Sequence, residues 1–79
     1  MIVGYAIVIR GKYDGIYEIK MYEDRETAIQ KLEERFSKDL KDFVGGIEKV
    51  YRADDDFKQI FTADEDIITY TIEEVHNGD

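Results

Sequence analysis

The stretch Arg25-Glu-Thr-Ala-Ile-Gln-Lys-Leu-Glu-Glu-Arg-Phe-Ser-Lys-Asp-Leu-Lys-Asp-Phe-Val44 decides how the chain folds. Its apolar residues are Ala28, Ile29, Leu32, Phe36, Leu40, Phe43 and Val44. Intervals of three and four place them on one stripe of an α-helix, with Glu26, Gln30, Glu33, Glu34, Ser37, Lys38, Lys41 and Asp42 largely opposite. Asp24 suits the N-cap, because its carboxylate can accept from a free backbone N–H of the first turn. Glu26 complements the helix dipole at one end, and Lys38 and Lys41 at the other. Gly45 and Gly46 are expected to end the helix through a left-handed residue. No other segment reads as a comparable helix, so the stripe must be buried on strands.

Outward from the helix, Ile2 to Arg10 reads as a strand with two apolar faces, one carrying Val3, Tyr5, Ile7 and Ile9. Such a strand is expected at the centre of its sheet. The other face carries Gly4 and Ala6, small enough for close approach. Gly11-Lys-Tyr-Asp-Gly15 has the composition of a hairpin loop. In the second strand, Ile16 to Glu23, alternation predicts that Tyr17, Ile19 and Met21 face the helix. After the helix, Ile47 to Ala53 reads as a mixed strand. Phe57 to Thr62 reads as a short strand or ordered loop, and Ile67 to Val75 as a β-branched strand. The expectation is one α+β domain over residues 1–79. A long amphipathic helix would pack on an antiparallel sheet of four to five strands, in the order ββα then ββ(β), with residues 76–79 a frayed tail. The opposite sheet face would keep Val8, Ile16, Tyr22 and Val50, an uncovered apolar surface of the kind that receives a partner or a second copy.

Composition narrows the chemistry. The absence of cysteine excludes disulfides and thiolate metal sites. No apolar run has the roughly 18 residues of a membrane helix, and the N-terminus lacks a signal-peptide pattern. A cytoplasmic protein, with no membrane, is the expectation. The net charge of -8 is uneven: +1 over residues 1–22, -2 over 23–44 and -7 over 45–79. That balance disfavours direct contact with nucleic-acid phosphates and favours a basic protein surface.

Two acidic clusters stand out, Asp54-Asp55-Asp56 and Asp64-Glu65-Asp66. If a strand joins them, at roughly 3.3 Å per residue they lie about 25–30 Å apart. Solvated turns that discourage edge aggregation are one reading. A carboxylate array standing in for nucleic-acid phosphates is the other, extended by Glu73 and Glu74, with Tyr13 and Tyr22 as apolar anchors. The clusters share only the first spacing of a calcium loop: six positions in, glycine is replaced by Gln59 or Thr69. No metal site and no cofactor are therefore expected. Catalysis has little to draw on, with His76 near the chain end and Ser37 the sole serine. The expectation is a non-enzymatic binding protein.

The segments Tyr5-Ala-Ile-Val-Ile, Tyr17-Glu-Ile, Met21-Tyr-Glu-Asp-Arg-Glu-Thr-Ala-Ile-Gln-Lys-Leu and Tyr70-Thr-Ile-Glu-Glu-Val give the chain a resemblance to small acidic single-domain proteins of phages and prophages. That class includes anti-CRISPR and other anti-defence inhibitors, several of them acidic mimics of nucleic acid. The resemblance implies an inhibitor of a host defence or nucleic-acid-processing protein, acting in the host cytoplasm. The alternative reading is a small oligomeric module, a homodimer for instance. It would bind a small ligand or nucleotide between subunits through Gly4, Ala6 and Val8, with Arg10 or Lys12 for an anionic group.

Overall fold

The computed structural model describes residues 1–13 and 15–78. Asp14, the first residue of the Asp-Gly pair in the expected hairpin loop, and Asp79 lie outside the described residues. The elements run β1 (Ile2–Gly11), β2 (Gly15–Tyr22), α1 (Arg25–Asp42), β3 (Ile47–Asp54), β4 (Phe57–Thr62) and β5 (Ile67–His76). All five strands join one antiparallel sheet in the order β2-β1-β5-β4-β3, and α1 packs on one face of it.

This arrangement corrects the expected architecture. Among the described residues 55 % are strand, so the sheet and not the helix is the dominant element. The segment after the helix supplies three full strands, giving ββαβββ. The central strand is β5, which closes back between β1 and β4, while β1 lies one place off centre. The physical reason is that β5 pairs along nearly its whole length with β1 and also with β4. An apolar pattern on both faces of β1 does not reveal which long strand has that privilege.

The helix begins as its sequence dictates: Thr27 N–H donates to Asp24 Oδ1 at 2.8 Å. It ends earlier, at Asp42, through Phe43 in an extended conformation (φ -66°, ψ 120°). Gly45 and Gly46 are not left-handed, since the positive-φ glycine among the described residues is Gly15. Ala28, Leu32 and Phe36 are fully buried. They meet Ile7, Ile9, Ile60 and Tyr70 in one core, with the Phe36 and Tyr70 rings edge to face at 5.1 Å.

A bulge in β2 reverses the expected phase for Ile19 and Met21, while Tyr17 lies on the helix side as expected, beside Ile9, Arg35 and Asp39. Ile9 pairs with Glu18 but Arg10 pairs with Ile16, so Tyr17 is the extra residue. Beyond it Lys20 and Tyr22 share the helix-side face with Ile7 and Tyr5, while Ile19 and Met21 pair with Val8 and Ala6 on the outer face. Ile19 and Met21 are accordingly exposed, and Tyr22 packs against the core. Val50 likewise turns to the helix side through its pairing with Ile60. Gly4 does meet a close neighbour, but it is the edge strand itself: a Cβ there would lie 2.9 Å from the Tyr22 carbonyl oxygen.

Candidate functional site

The polar ties between helix and sheet run along a single register row, Glu18–Ile9–Tyr70–Lys58–Arg52, which crosses all five strands. Arg35 donates from Nη1 to both Glu18 oxygens at 2.8 Å and from Nε to Asp39 at 3.0 Å. The Glu18 bond, then those from Asp39, hold its guanidinium above the usual arginine range in spite of partial burial. Tyr70 donates its hydroxyl to Asp39 at 2.6 Å. Burial, then that bond and the Asp39 charge, push the phenol far above its ordinary value, so it stays a donor. At the other end of the row Arg52 donates to both Glu33 oxygens, at 2.9 and 3.0 Å, and lies over the Phe36 ring at 4.6 Å. Sequence periodicity missed this network. Its one local element is the i,i+4 pair of Arg35 and Asp39.

Lys58 was also missed. It is only 5 % exposed. Its ammonium donates to the carbonyls of Asp54 (3.2 Å) and Asp55 (3.4 Å) and lies 3.6 Å from Glu33. The β3–β4 turn is therefore wrapped around a buried cation by its backbone, which leaves the side chains of Asp54 and Asp55 exposed. Glu33, Arg52, Asp54, Asp55 and Lys58 line a shallow groove of about 450 Å³ there.

The fold sorts the sequence-selected residues into two ends of the sheet. At one end, Asp56 accepts from Ile72 N–H at 3.1 Å through its carbonyl and pairs with Arg25 at 3.7 Å through its carboxylate. Those contacts bring Asp54, Asp55 and Asp56 beside the start of α1 and the end of β5, where Glu73 and Glu74 follow. Tyr22, on the register row with Tyr5 and Glu74, belongs to this end. Glu73 pairs with Arg10 at 2.9 Å and Glu74 with His76 at 3.1 Å. At the opposite end, across the six residues of β4, lie Asp64, Glu65 and Asp66 with Tyr13. Asp66 is turned inward: Oδ1 accepts from Ile67 N–H (2.8 Å) and Lys12 N–H (3.2 Å), and Oδ2 from the Tyr17 hydroxyl (3.4 Å). It staples the β4–β5 turn to the β1–β2 hairpin. Glu65 adopts a left-handed φ of 68° there, and its side chain is exposed. Tyr13 is 68 % exposed beneath Lys12.

Among the described residues, Asp54, Asp55, Asp64 and Glu65 have no ion-pair partner, and no group of three or more Asp, Glu or His is placed to hold a metal ion. Among them, too, no helix is long and apolar enough to cross a membrane. The fold and these surfaces define a small α+β protein with one helix on a five-stranded antiparallel sheet. Comparison with protein-family models, with curated proteins and with solved structures found no match to the chain.

Proposed function

We propose that this chain is a non-enzymatic acidic binding protein that occupies a basic surface of a nucleic-acid-binding protein. The end where the β3–β4 turn meets the start of α1 and the end of β5 is its contact. One observation carries the reading. The backbone of Asp54 and Asp55 is committed to Lys58 while their carboxylates are not, so the turn holds unneutralised charge in fixed positions. Asp56, Glu73 and Glu74 stand at the same end of the sheet, each already paired, with Arg25, Arg10 and His76 in turn, so the contact rests on Asp54 and Asp55. Asp64 and Glu65, at the far end, cannot share that contact and serve the long-range field of the -8 chain. Carboxylates so arranged would stand where phosphates otherwise bind, which suits a phage-type inhibitor of host defence, anti-CRISPR-like in its action. The bulge-directed turn of Tyr22 into the core leaves Tyr13 as the exposed tyrosine of the two, at the other end.

The test is capture from a bacterial lysate on the tagged protein, at low and raised salt. It compares the unaltered chain with D54N/D55N and with D64N/E65Q. A basic nucleic-acid-binding protein retained by the unaltered chain, shed as salt rises and lost with D54N/D55N, is the expected outcome. The captured protein, once purified, should lose its nucleic acid to the unaltered chain and keep it with D54N/D55N. Equal capture by D54N/D55N would rule out this end as the contact.

A further inference from the structure

Between α1 and the edge strand β2 the two elements face each other with polar side chains. Steps of three and four set Lys31, Glu34, Arg35 and Lys38 along one side of the helix. Across from them, Glu18, Lys20 and Tyr22 stand on the helix-side face of β2, where Glu18 and Lys20 pair with Ile9 and Ile7 of β1. No apolar side chain fills the space between these two rows, and a groove of about 280 Å³ remains there. Ile7 and Ile9 seal its floor, beside Tyr22. In a chain of net charge -8, this groove has four cations and two carboxylates in its lining, an excess of two positive charges.

We propose that the groove binds a small phosphate monoester with a compact apolar body. Charge is the first reason. Such an ester carries about -1.5 to -2 at neutral pH, which matches the excess of the lining. The kind of cation is the second. Arg35, whose planar fork suits a carboxylate, is already held by Glu18 and Asp39. The other cations are lysines, separate point charges that suit the three terminal oxygens of a phosphate. Lys20 has no ion-pair partner among the described residues. Lys31 meets Glu34 at 3.7 Å and Lys38 meets Asp42 at 3.1 Å, in exposed pairs that contribute little and yield to a ligand. The Tyr22 hydroxyl has no hydrogen-bond partner among the described residues either, and can donate to an ester oxygen. Size is the third reason. At about 30 Å³ for each water-sized group, the groove takes roughly nine, enough for a phenyl-sized body on Ile7 and Ile9 but leaving a nucleotide largely outside. Asp39 and Asp42 line the separate cavity at the helix end and do not oppose the ligand here. The long-range field of the chain repels any anion, so recognition rests on these short contacts and not on steering. None of the groove residues belongs to the acidic β3–β4 turn.

Titration of the isotope-labelled chain with phenyl phosphate, followed through its amide chemical shifts, tests the assignment. Saturable shifts should centre on residues 18–22 of β2 and 31–38 of α1. Benzoate, which has one oxygen and one charge fewer, and inorganic phosphate, which has no apolar body, should each bind about tenfold more weakly or worse. K20Q should weaken phenyl phosphate by about tenfold, the loss of one charge-assisted contact. K41Q changes the net charge equally from an exposed helix position outside the groove, and should bind as the unaltered chain does. Y22F should weaken binding by a few-fold while the amide spectrum of the free protein keeps its native dispersion. Absence of saturable shifts, shifts scattered over the surface, or equal weakening by K20Q and K41Q would overturn the proposal. So would benzoate or inorganic phosphate bound as tightly as the ester. A phosphotyrosine peptide that binds where phenyl phosphate does not would likewise overturn it, by showing that the ester alone is not what the groove reads.

Discussion

Replacing Tyr70 by phenylalanine takes away one oxygen and with it the 2.6 Å bond to Asp39. The ring stays packed on Phe36, and Asp39 keeps Arg35, so the loss is confined to a part-buried bond to a charged acceptor. We expect Y70F to be less stable by about 1–2 kcal/mol in urea denaturation. An unchanged midpoint would mean that the bond contributes nothing net. Glu33 makes a second prediction. Partial burial raises its carboxyl pKa, but the bond and charge of Arg52, the Ser37 hydroxyl and the Lys58 charge outweigh it, so the net value lies below the ordinary 4.5. A carboxylate lowered in the folded state stabilises fully above its ordinary range, and that contribution disappears as pH falls through the folded value. E33Q should therefore be destabilised at pH 7 and indistinguishable from the unaltered chain well below pH 4.5. Because Glu33 and Arg52 are each nearly half exposed, solvent screening limits the difference to about 1 kcal/mol. A gap that persists in acid would assign the effect to packing. The residue types were legible in the sequence, whereas Lys58 was not, because a lysine in a short strand reads as solvent-facing until Asp54 and Asp55 are seen to turn their carbonyls onto it.

At the scale of elements, the strands differ in what holds them. β1 and β5 pair on both sides and lie under the helix. β3 is an edge strand whose residues from Glu48 to Asp54 are all exposed, tied to α1 through Arg52. Native-state hydrogen exchange should be slowest for amides of β1 and β5 and fastest within the sheet for β3. Protection of β3 equal to that of β5 would mean that the sheet opens only as a whole. The same scale explains the misread face of β2. Tyr17 does face the helix, beside Arg35 and Asp39, but the bulge at Tyr17 breaks the alternation and leaves Ile19 and Met21 on the outer face, and no residue type in Gly15–Tyr22 announces a bulge. The glycines after the helix misled for a related reason. Phe43 leaves the helix first, in an extended conformation that needs no glycine.

Across the whole molecule, charge and apolar surface are segregated. The acidic turns occupy the two ends of the sheet, the uncovered apolar surface occupies one face, and the helix with its ion-pair row occupies the other. The sequence by itself determined what depends on nearest neighbours: the stripe that buries Ala28, Leu32 and Phe36, the Asp24 cap, the β-branched strand from Ile67, and the excess of negative charge after the helix. Tertiary structure alone decided which strand lies in the centre, which face of β2 points inward, and which of ten selected residues come together. Those choices rest on pairings between residues distant in the chain, as between Asp56 and Ile72, Arg35 and Glu18, or Ile9 and Tyr70. Local periodicity carries no record of such partners, because each strand would satisfy its own backbone equally well beside any other.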